Sequence, residues 1–246
     1  MMKIAVVTLI FGANYKEAVR DGIENKRLYC QKYGYDFICG EENLDPSRPI
    51  AWSKILLIQK VMKNPSYEWI FWTDADSLIM NFNIRLESLI DENFNFIISK
   101  DINNINSGEF FIKNTEWSDT FLTSVYSRTE CIDHIWWENQ AIILELEQKP
   151  EYASRTKIVP QKLFNSSAYE VIRSFRSDAL YRKGDFIVHF AGLHKFKALK
   201  FLMYRYSRKP LGISYIPRPQ FLWQHARLLI LLLLQPLRLF LKRSIF

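Results

Sequence analysis

The stretch WIFWTDADSLIM, residues 69–80, decides how this chain folds because it joins a run of large apolar residues to two carboxylates. The apolar run predicts a buried β-strand over residues 68–73. Asp74 and Asp76 follow it, separated only by Ala75. Residues two apart in an extended chain project to the same side, so the two carboxylates converge. Either a surface turn or a site for a hard cation such as Mg²⁺ or Mn²⁺ explains such a pair.

Strand and helix patterns alternate on both sides of this segment. A continuous apolar run predicts a first strand over residues 3–9, and the helix predicted over 15–33 ends at Gly34. The other predicted strands cover residues 35–38, 95–99, 109–113 and 186–190, and the other predicted helices cover 52–62, 115–126 and 136–147. This order predicts an α/β domain over residues 1–195 with a mostly parallel sheet, which binds ligands at the carboxyl ends of its strands.

A second group of polar residues follows a late strand, in DFIVHFAGLHK, residues 185–195. His189 ends the strand, and its imidazole can be a third metal ligand. Gly192 lets the backbone approach a ligand closely, and Lys195 supplies an ammonium group that can neutralise a phosphate. An Asp-x-Asp pair alone is common in loops. Together with His-x-x-Gly-x-x-Lys it favours a site for a metal ion and a diphosphate.

The segments FWTDADSLI and HFAGLHK resemble the metal-binding and diphosphate-binding elements of GT-A glycosyltransferases. More specifically, the chain resembles the fungal galactosyltransferase/mannosyltransferase family, which includes the plant xyloglucan xylosyltransferases. AWSKILLIQKVMKNPSYEWIFWTDAD, NNINSGEFFIKNTEWS and WWENQAIILEL extend the resemblance over about residues 3–195. It implies a GT-A, Rossmann-like fold and a retaining transfer of a hexose or pentose from a nucleotide-diphosphate sugar, with UDP-galactose as first candidate. The acceptor would be a glycan or a lipid-linked glycan.

The resemblance also implies roles for individual residues. A divalent ion, Mn²⁺ or Mg²⁺, would be held by Asp74, Asp76 and His189. The expected catalytic residues are Gln140 near the anomeric carbon, Glu138 on the same helix and Lys54 near the donor. The expected donor-binding residues are Thr8 and Tyr15 after the first strand, Asp74 and Ala75, Asn106 and Gly108 at the sugar, and Gly192 and Lys195 at the diphosphate.

The residues before Gln140 depart from that family pattern. The family tends to have two acidic residues there, whereas this chain has Glu138 and Asn139. A different sugar or acceptor preference is one consequence that we expect. The adjacent Trp136 and Trp137 are either core residues or a platform for the acceptor, because sugars stack on aromatic faces.

The net charge changes from slightly negative to strongly positive near residue 196. Residues 196–246 contain ten Lys or Arg and no acidic residue, whereas the preceding part has 23 basic and 26 acidic residues. The apolar run at 228–234 is shorter than the roughly 20 residues of a membrane span. Residues 196–246 therefore predict helices lying on an anionic membrane, although docking on the core or a dimer contact fits the same pattern. Nucleic acid is not an expected partner, since no such motif accompanies the charge.

The cysteine content and the N-terminal pattern predict a cytoplasmic protein, peripheral on the cytoplasmic face of a membrane. The chain has three cysteines and no recognisable signal peptide. Two other functions fit parts of the sequence. One is a haloacid-dehalogenase-like phosphatase with Asp74 as nucleophile, although that motif normally follows the first strand and here two strands precede it. The other is a non-catalytic protein that binds membranes through the basic tail.

Overall fold

A six-stranded sheet forms the centre of the molecule. The structure is a computed structural model that describes residues 2–101, 103–172 and 178–213. Within these ranges the strands are β1 (Ile4–Leu9), β2 (Asp36–Gly40), β3 (Trp69–Thr73), β4 (Ser77–Ile79), β5 (Phe96–Asp101), β6 (Asn104–Lys113), β7 (Thr156–Pro160), β8 (Ser166–Ser167) and β9 (Ile187–His189). The order in the central sheet is β2-β1-β3-β6-β5-β7.

Five of the six central strands run in the same direction. β1 pairs in parallel with β2 and β3, β5 pairs in parallel with β7, and only β6 is antiparallel to its neighbours β3 and β5. All five residues of β3 are buried, because apolar side chains cover both faces of the sheet. The predicted mostly parallel α/β fold is therefore confirmed.

Helices cover both faces of this sheet. They are α1 (Ala13–Tyr33), α2 (Ser53–Met62), α3 (Glu116–Tyr126), α4 (Trp137–Gln148), α5 (Pro150–Ala153), α6 (Tyr169–Ile172) and α7 (Phe196–Tyr206). The predicted C-cap of α1 is confirmed: Gly34 has a φ of 75°, and its N–H donates to the carbonyl of Cys30. Such a left-handed backbone suits glycine, which has no Cβ.

A second, smaller sheet with the order β4-β9-β8 was not predicted from the sequence. Its strands have two or three residues each, too few to show a clear alternation of apolar and polar side chains. In the antiparallel pair of β4 and β9, Ser77 lies opposite His189. The N–H of Phe190 donates to the carbonyl of Asp76 at 3.0 Å. This sheet therefore brings residues more than a hundred positions apart into one site.

The C-terminal part of the chain is described as far as residue 213. Helix α7 begins at the predicted boundary and packs along α1, with Leu199, Leu202 and Met203 buried. No helix of the described ranges is long and apolar enough to cross a bilayer. Most of the predicted membrane-binding segment lies outside the described residues. The division after residue 195, the membrane attachment and the cellular location stay predictions.

Candidate functional site

Asp74 and Asp76 lie in a tight connection between β3 and β4. The N–H of Asp74 donates to the carbonyl of Gly108 at 2.8 Å. The carbonyl of Asp74 accepts hydrogen bonds from the N–H of Ser77 at 3.2 Å and from its hydroxyl at 2.9 Å. Backbone hydrogen bonds therefore hold both carboxylates where β3 ends, at the carboxyl edge of the sheet.

His189 completes a cluster of three potential metal ligands. One ligand atom each from Asp74, Asp76 and His189 lies within 4.8 Å of the others. The Nε2 atom of His189 is 3.5 Å from Oδ1 of Asp76 and 3.9 Å from Oδ2 of Asp74. The ring fits there because residue 108 is glycine: a Cβ at Gly108 would lie 2.2 Å from Cε1 of His189.

The opposite edge of the imidazole faces two other residues. The Nδ1 atom of His189 is 2.9 Å from Oδ1 of Asn165 and 3.2 Å from Oε2 of Glu109. Burial disfavours the imidazolium, but the carboxylates of Glu109 and Asp76 outweigh it and raise the pKa of His189 well above its usual value. Burial raises the pKa of Asp76, but the neighbouring imidazole holds that pKa below its usual value.

Lys54 joins Asp74 to the start of α4. Its Nζ is 3.3 Å from Oδ1 of Asp74 and 2.8 Å from Oε1 of Glu138, and it donates to the carbonyl of Ser107 at 2.9 Å. Burial disfavours the ammonium form, but the two carboxylates raise the pKa of Lys54 above its usual value. Trp72 also donates its indole N–H to Oδ1 of Asp74 at 2.8 Å. Oδ1 is therefore occupied, and Oδ2 faces His189.

A second buried lysine lies beneath the turn that carries the two aspartates. Lys26 on α1 is fully buried and donates to the carbonyl of Ser77 at 2.6 Å. Burial lowers the pKa of Lys26 to about 8, while the carboxylates of Glu109, Asp76 and Asp74 partly offset that effect. The ammonium form therefore predominates at neutral pH.

The charges around the cluster favour a divalent cation. Four described carboxylates, those of Asp74, Asp76, Glu109 and Glu138, face the two ammonium groups of Lys26 and Lys54. The imidazole must lose its proton to bind a metal, and two net negative charges then remain, which are costly in a poorly solvated place unless a divalent ion balances them. Two carboxylates and an imidazole form a donor set that suits Mn²⁺ and related ions. The residues present therefore fit a bound divalent ion.

Of the predicted donor-binding residues, Tyr15 lies near the acidic pair, whereas Thr8 and Ala75 are buried. Burial, and then the carboxylates of Asp76 and Asp74, raise the pKa of Tyr15 well above the usual value. Its hydroxyl therefore stays protonated. Thr8 is fully buried on β1, and its hydroxyl has no hydrogen-bond partner in the part of the chain that the structure describes. Ala75 is also buried.

The predicted sugar-binding residue Asn106 is held by several hydrogen bonds. Its Oδ1 accepts from the N–H of Gly108 at 2.9 Å and from the side-chain amide of Asn165 at 3.0 Å. Its Nδ2 donates to Asp101 at 2.8 Å. These hydrogen bonds therefore fix the Asn106 side chain beside the cluster of potential metal ligands.

The predicted diphosphate-binding residues lie on the loop between β9 and α7. Gly192 has a φ of 75°, a backbone conformation that suits glycine, and Lys195 is exposed immediately before α7. Within the described ranges, no ion pair joins Lys195 to the acidic cluster. The structure therefore places Lys195 on the loop that follows His189 without bringing it into contact with the carboxylates.

The start of α4 presents the remaining predicted residues. Glu138 is buried against Lys54, while Gln140 is half-buried in the same helical turn. Asn139 accepts from the N–H of Ser107 at 2.7 Å and donates to the carbonyl of Ile105 at 3.0 Å, so it ties α4 to β6. Trp136 and Trp137 are 39% and 38% exposed, which excludes them from the core.

Lys26, Glu109 and Asn165 are among the residues of the site that were not predicted from the sequence. The sequence contained a pattern that indicates a special role for two of them, Glu109 and Lys26. Glu109 is an isolated acidic residue at the start of the strand predicted over residues 109–113 and lies in the middle of β6. Lys26 lies at helical spacing with the buried residues Gly22 and Tyr29. Asn165 lies in a connection without a periodic pattern, so its approach to His189 depends on the tertiary fold.

Comparison with known sequences finds one matching family. The model of the galactosyl transferase GMA12/MNN10 family matches residues 2–93 and 90–200. An alpha-1,2-galactosyltransferase of Schizosaccharomyces pombe is 27% identical, covering 80% of this chain and 65% of the relative. A probable alpha-1,6-mannosyltransferase of Saccharomyces cerevisiae is 26% identical, covering 69% and 54%. The chain thus spans less than two thirds of the length of these relatives.

Comparison with solved structures finds the same fold. A glycosyltransferase involved in the glycosylation of the major capsid of PBCV-1 aligns with a TM-score of 0.67 and 20% identity, covering 82% of this chain and 99% of that chain. Galactosyltransferase LgtC, in complex with donor and acceptor sugar analogs, aligns with a TM-score of 0.54 and 12% identity, covering 85% and 97%. These likenesses show a GT-A glycosyltransferase fold.

Proposed function

The chain belongs to the galactosyl transferase GMA12/MNN10 family, and on that premise we propose that it is a metal-dependent, retaining glycosyltransferase. It would move a hexose or pentose from a nucleotide-diphosphate sugar, with UDP-galactose as first candidate, to a glycan or a lipid-linked glycan. The observation that carries the proposal is the cluster of Asp74, Asp76 and His189 at the carboxyl edge of the sheet. Open α/β sheets bind their ligands at that edge.

The described residues have distinct tasks in this proposal. Asp74, Asp76 and His189 hold Mn²⁺ or Mg²⁺, which when bound supplies a Lewis acid for the charge of the departing nucleoside diphosphate. Lys54 and Trp72 fix one oxygen of Asp74 and so orient the other towards the site. Tyr15 lines the site beside Asp76, and Lys195 neutralises the diphosphate from its exposed loop.

The geometry around Glu138 supports a same-face substitution. Its carboxylate is buried and paired with Lys54, so it is poorly placed to attack an anomeric carbon. In the proposed step, the acceptor oxygen bonds to the anomeric carbon while the bond from that carbon to the phosphate oxygen breaks. The acceptor proton moves to the leaving phosphate. Gln140, in the same turn of α4, stabilises the positive charge that develops on the sugar.

The phosphatase alternative has less support. An aspartate nucleophile needs a carboxylate oxygen free to attack a phosphorus atom, but Oδ1 of Asp74 is occupied by Lys54 and Trp72, and Oδ2 faces His189 in the cluster of potential metal ligands. Asp74 also follows the third strand of the chain rather than the first.

The donor and the metal are tested together by nucleotide release. The protein, freed of metal with EDTA, is incubated with UDP-galactose, UDP-glucose, UDP-xylose or GDP-mannose, with or without Mn²⁺. We expect one donor to be hydrolysed slowly, and only with metal, because water can replace the acceptor. The same donor should also stabilise the protein: at 100 times its dissociation constant it should add about 2.7 kcal/mol to the free energy of unfolding. Turnover of p-nitrophenyl phosphate with Mg²⁺ and no release from any sugar donor would contradict the proposal.

Exposed aromatic residues beside the site suggest where the acceptor binds. Trp136 and Trp137 precede Glu138 directly, and Ile135 is 78% exposed. Trp137 has a φ of 43°, a backbone conformation that is rare for a bulky residue and is often found at functional sites. We propose that a pyranose ring of the acceptor stacks on Trp136, whose own backbone has a negative φ and tolerates substitution.

Trp136→Ala is expected to raise the KM for the acceptor about tenfold, equal to about 1.4 kcal/mol of binding free energy. The rate of donor hydrolysis without acceptor should be unchanged, because the substitution leaves Asp74, Asp76 and His189 intact. Kinetics with the donor selected above measure both quantities. Ile158→Ala serves as a control, since Ile158 is an exposed apolar residue on the edge strand β7. An equal rise in the acceptor KM for both variants would contradict the stacking role.

A further inference from the structure

Glu109 is a buried carboxylate without a hydrogen-bond partner in the described structure. Its side chain has no exposed surface, and neither oxygen accepts a hydrogen bond from the described residues. An ionisable group buried in this way is costly unless another charge compensates it. The nearest polar atom of an ion-pair partner is Nδ1 of His189, 3.2 Å from Oε2.

Strand pairing places Glu109 firmly against the imidazole. Glu109 lies opposite Thr73 in the antiparallel pair of β3 and β6, immediately before the Asp-x-Asp turn. The preceding Gly108 leaves the space that the ring of His189 occupies. Two consecutive residues of β6 thus position the imidazole: Gly108 leaves room for the ring, and Glu109 places a carboxylate next to Nδ1.

We propose that Glu109 is a positioning residue for His189 and thereby sets the affinity of the site for a divalent ion. Nε2 of His189 faces Asp74 and Asp76, so it is the atom that would bind the ion. The ring proton then lies on Nδ1, between Asn165 and Glu109. A carboxylate next to this N–H fixes the tautomer and makes the other nitrogen a stronger ligand. The inference rests on the metal site of the proposed function.

Asn165 and Glu109 contribute differently to this arrangement. The amide oxygen of Asn165 orients the ring, and its own amide is held by Ser99 at 3.1 Å and Asn106 at 3.0 Å. It carries no charge and cannot balance a cation. Glu109 adds the negative charge that draws positive charge to His189 and to the ion beyond it. Glu109 is therefore expected to affect metal affinity more than the fold of the metal-free protein.

The variant Glu109→Gln tests this role because it removes the charge and keeps the shape. Mn²⁺ binding is measured on the metal-free protein by electron paramagnetic resonance of the free ion. The dissociation constant is expected to rise 10- to 100-fold, the range found when the partner of a metal-bound histidine is replaced. Glu109→Asp keeps the charge and is expected to lose less affinity. It also provides a second variant in case Glu109→Gln does not fold.

Glu145→Gln is the matched control. Glu145 is equally buried, but it lies on α4 and pairs with Arg128 and Lys149, away from the cluster. We expect this variant to unfold more easily than the wild-type protein and to bind Mn²⁺ with unchanged affinity.

A spectroscopic measurement separates positioning from a merely structural role. The chain has four histidines, so ¹⁵N-labelled imidazole groups can be resolved by NMR in the presence of diamagnetic Mg²⁺. In the wild-type protein His189 should carry its proton on Nδ1, and in Glu109→Gln the ¹⁵N shifts of this ring should move towards those of a tautomer mixture. Unchanged Mn²⁺ affinity in both Glu109 variants would overturn the inference. No Mn²⁺ binding by the wild-type protein would instead overturn the proposed metal site.

Discussion

Asp76→Asn is expected to lower the rate of sugar transfer about 1,000-fold, equal to about 4 kcal/mol of transition-state stabilisation. Asp76 contributes one of the two carboxylates of the cluster, and its Oδ1 lies 3.5 Å from Nε2 of His189. An amide is a much weaker ligand for a divalent ion than a carboxylate. The charge of the departing diphosphate would then lack its main counter-charge.

The fold should survive this substitution. The hydrogen bond that extends the pairing of β4 with β9 uses the backbone carbonyl of Asp76, which accepts from the N–H of Phe190 and is retained in the variant. The change removes the carboxylate charge that pairs with His189, so the metal-free protein should be somewhat less stable than the wild type but still folded. Transfer rates, together with the shift in melting temperature on adding Mn²⁺, measure both effects.

Asp119→Asn provides the control for Asp76→Asn. Asp119 is an aspartate on α3 that accepts a hydrogen bond from Gln59 at the surface. The Asp119→Asn variant should have the transfer rate of the wild type and the same shift in melting temperature on adding Mn²⁺. Full activity in Asp76→Asn would show that the acidic pair is incidental to the chemistry.

Lys54→Met is expected to destabilise the metal-free protein by about 3–5 kcal/mol, the usual cost of removing one partner from a buried ion pair. Lys54 is the cation between Asp74 and Glu138, at 3.3 and 2.8 Å. Without it, the buried carboxylate of Glu138 would lose its cationic partner, and Asp74 would lose one of the contacts to its Oδ1. Urea unfolding in the presence of EDTA measures the difference.

Two further variants sharpen the Lys54 prediction. Lys60→Met, on the exposed face of the same helix, should change the free energy of unfolding by less than about 0.5 kcal/mol. Adding Glu138→Gln to Lys54→Met should restore part of the lost stability, because it removes the carboxylate that lost its cationic partner. Equal stabilities of Lys54→Met and Lys60→Met would show that the buried ion pair contributes nothing to the fold.

The apolar and polar patterns of the sequence determined the order of strands and helices and the positions of the three potential metal ligands. The apolar run at residues 68–73, rich in aromatic residues, predicts a buried strand, and β3 occupies residues Trp69–Thr73. The helical spacing before Gly34 likewise predicts α1 and its end. Both are local properties, since strand and helix periods are set by the backbone itself. The clustering of Asp74, Asp76 and His189 follows from their common placement at strand ends.

Only the tertiary structure decided how the charges are paired. Lys54 and Glu138 are 84 positions apart, and Lys26 reaches a carbonyl 51 positions away. Glu109 looked like an ordinary strand residue until the pairing of β3 with β6 and of β4 with β9 placed it against His189. Such pairings depend on how elements pack after the chain has folded, and no local period encodes them. The sequence therefore determined which three side chains could bind a metal ion together, and the pairing and packing of the strands decided which charged groups surround them and balance their charges.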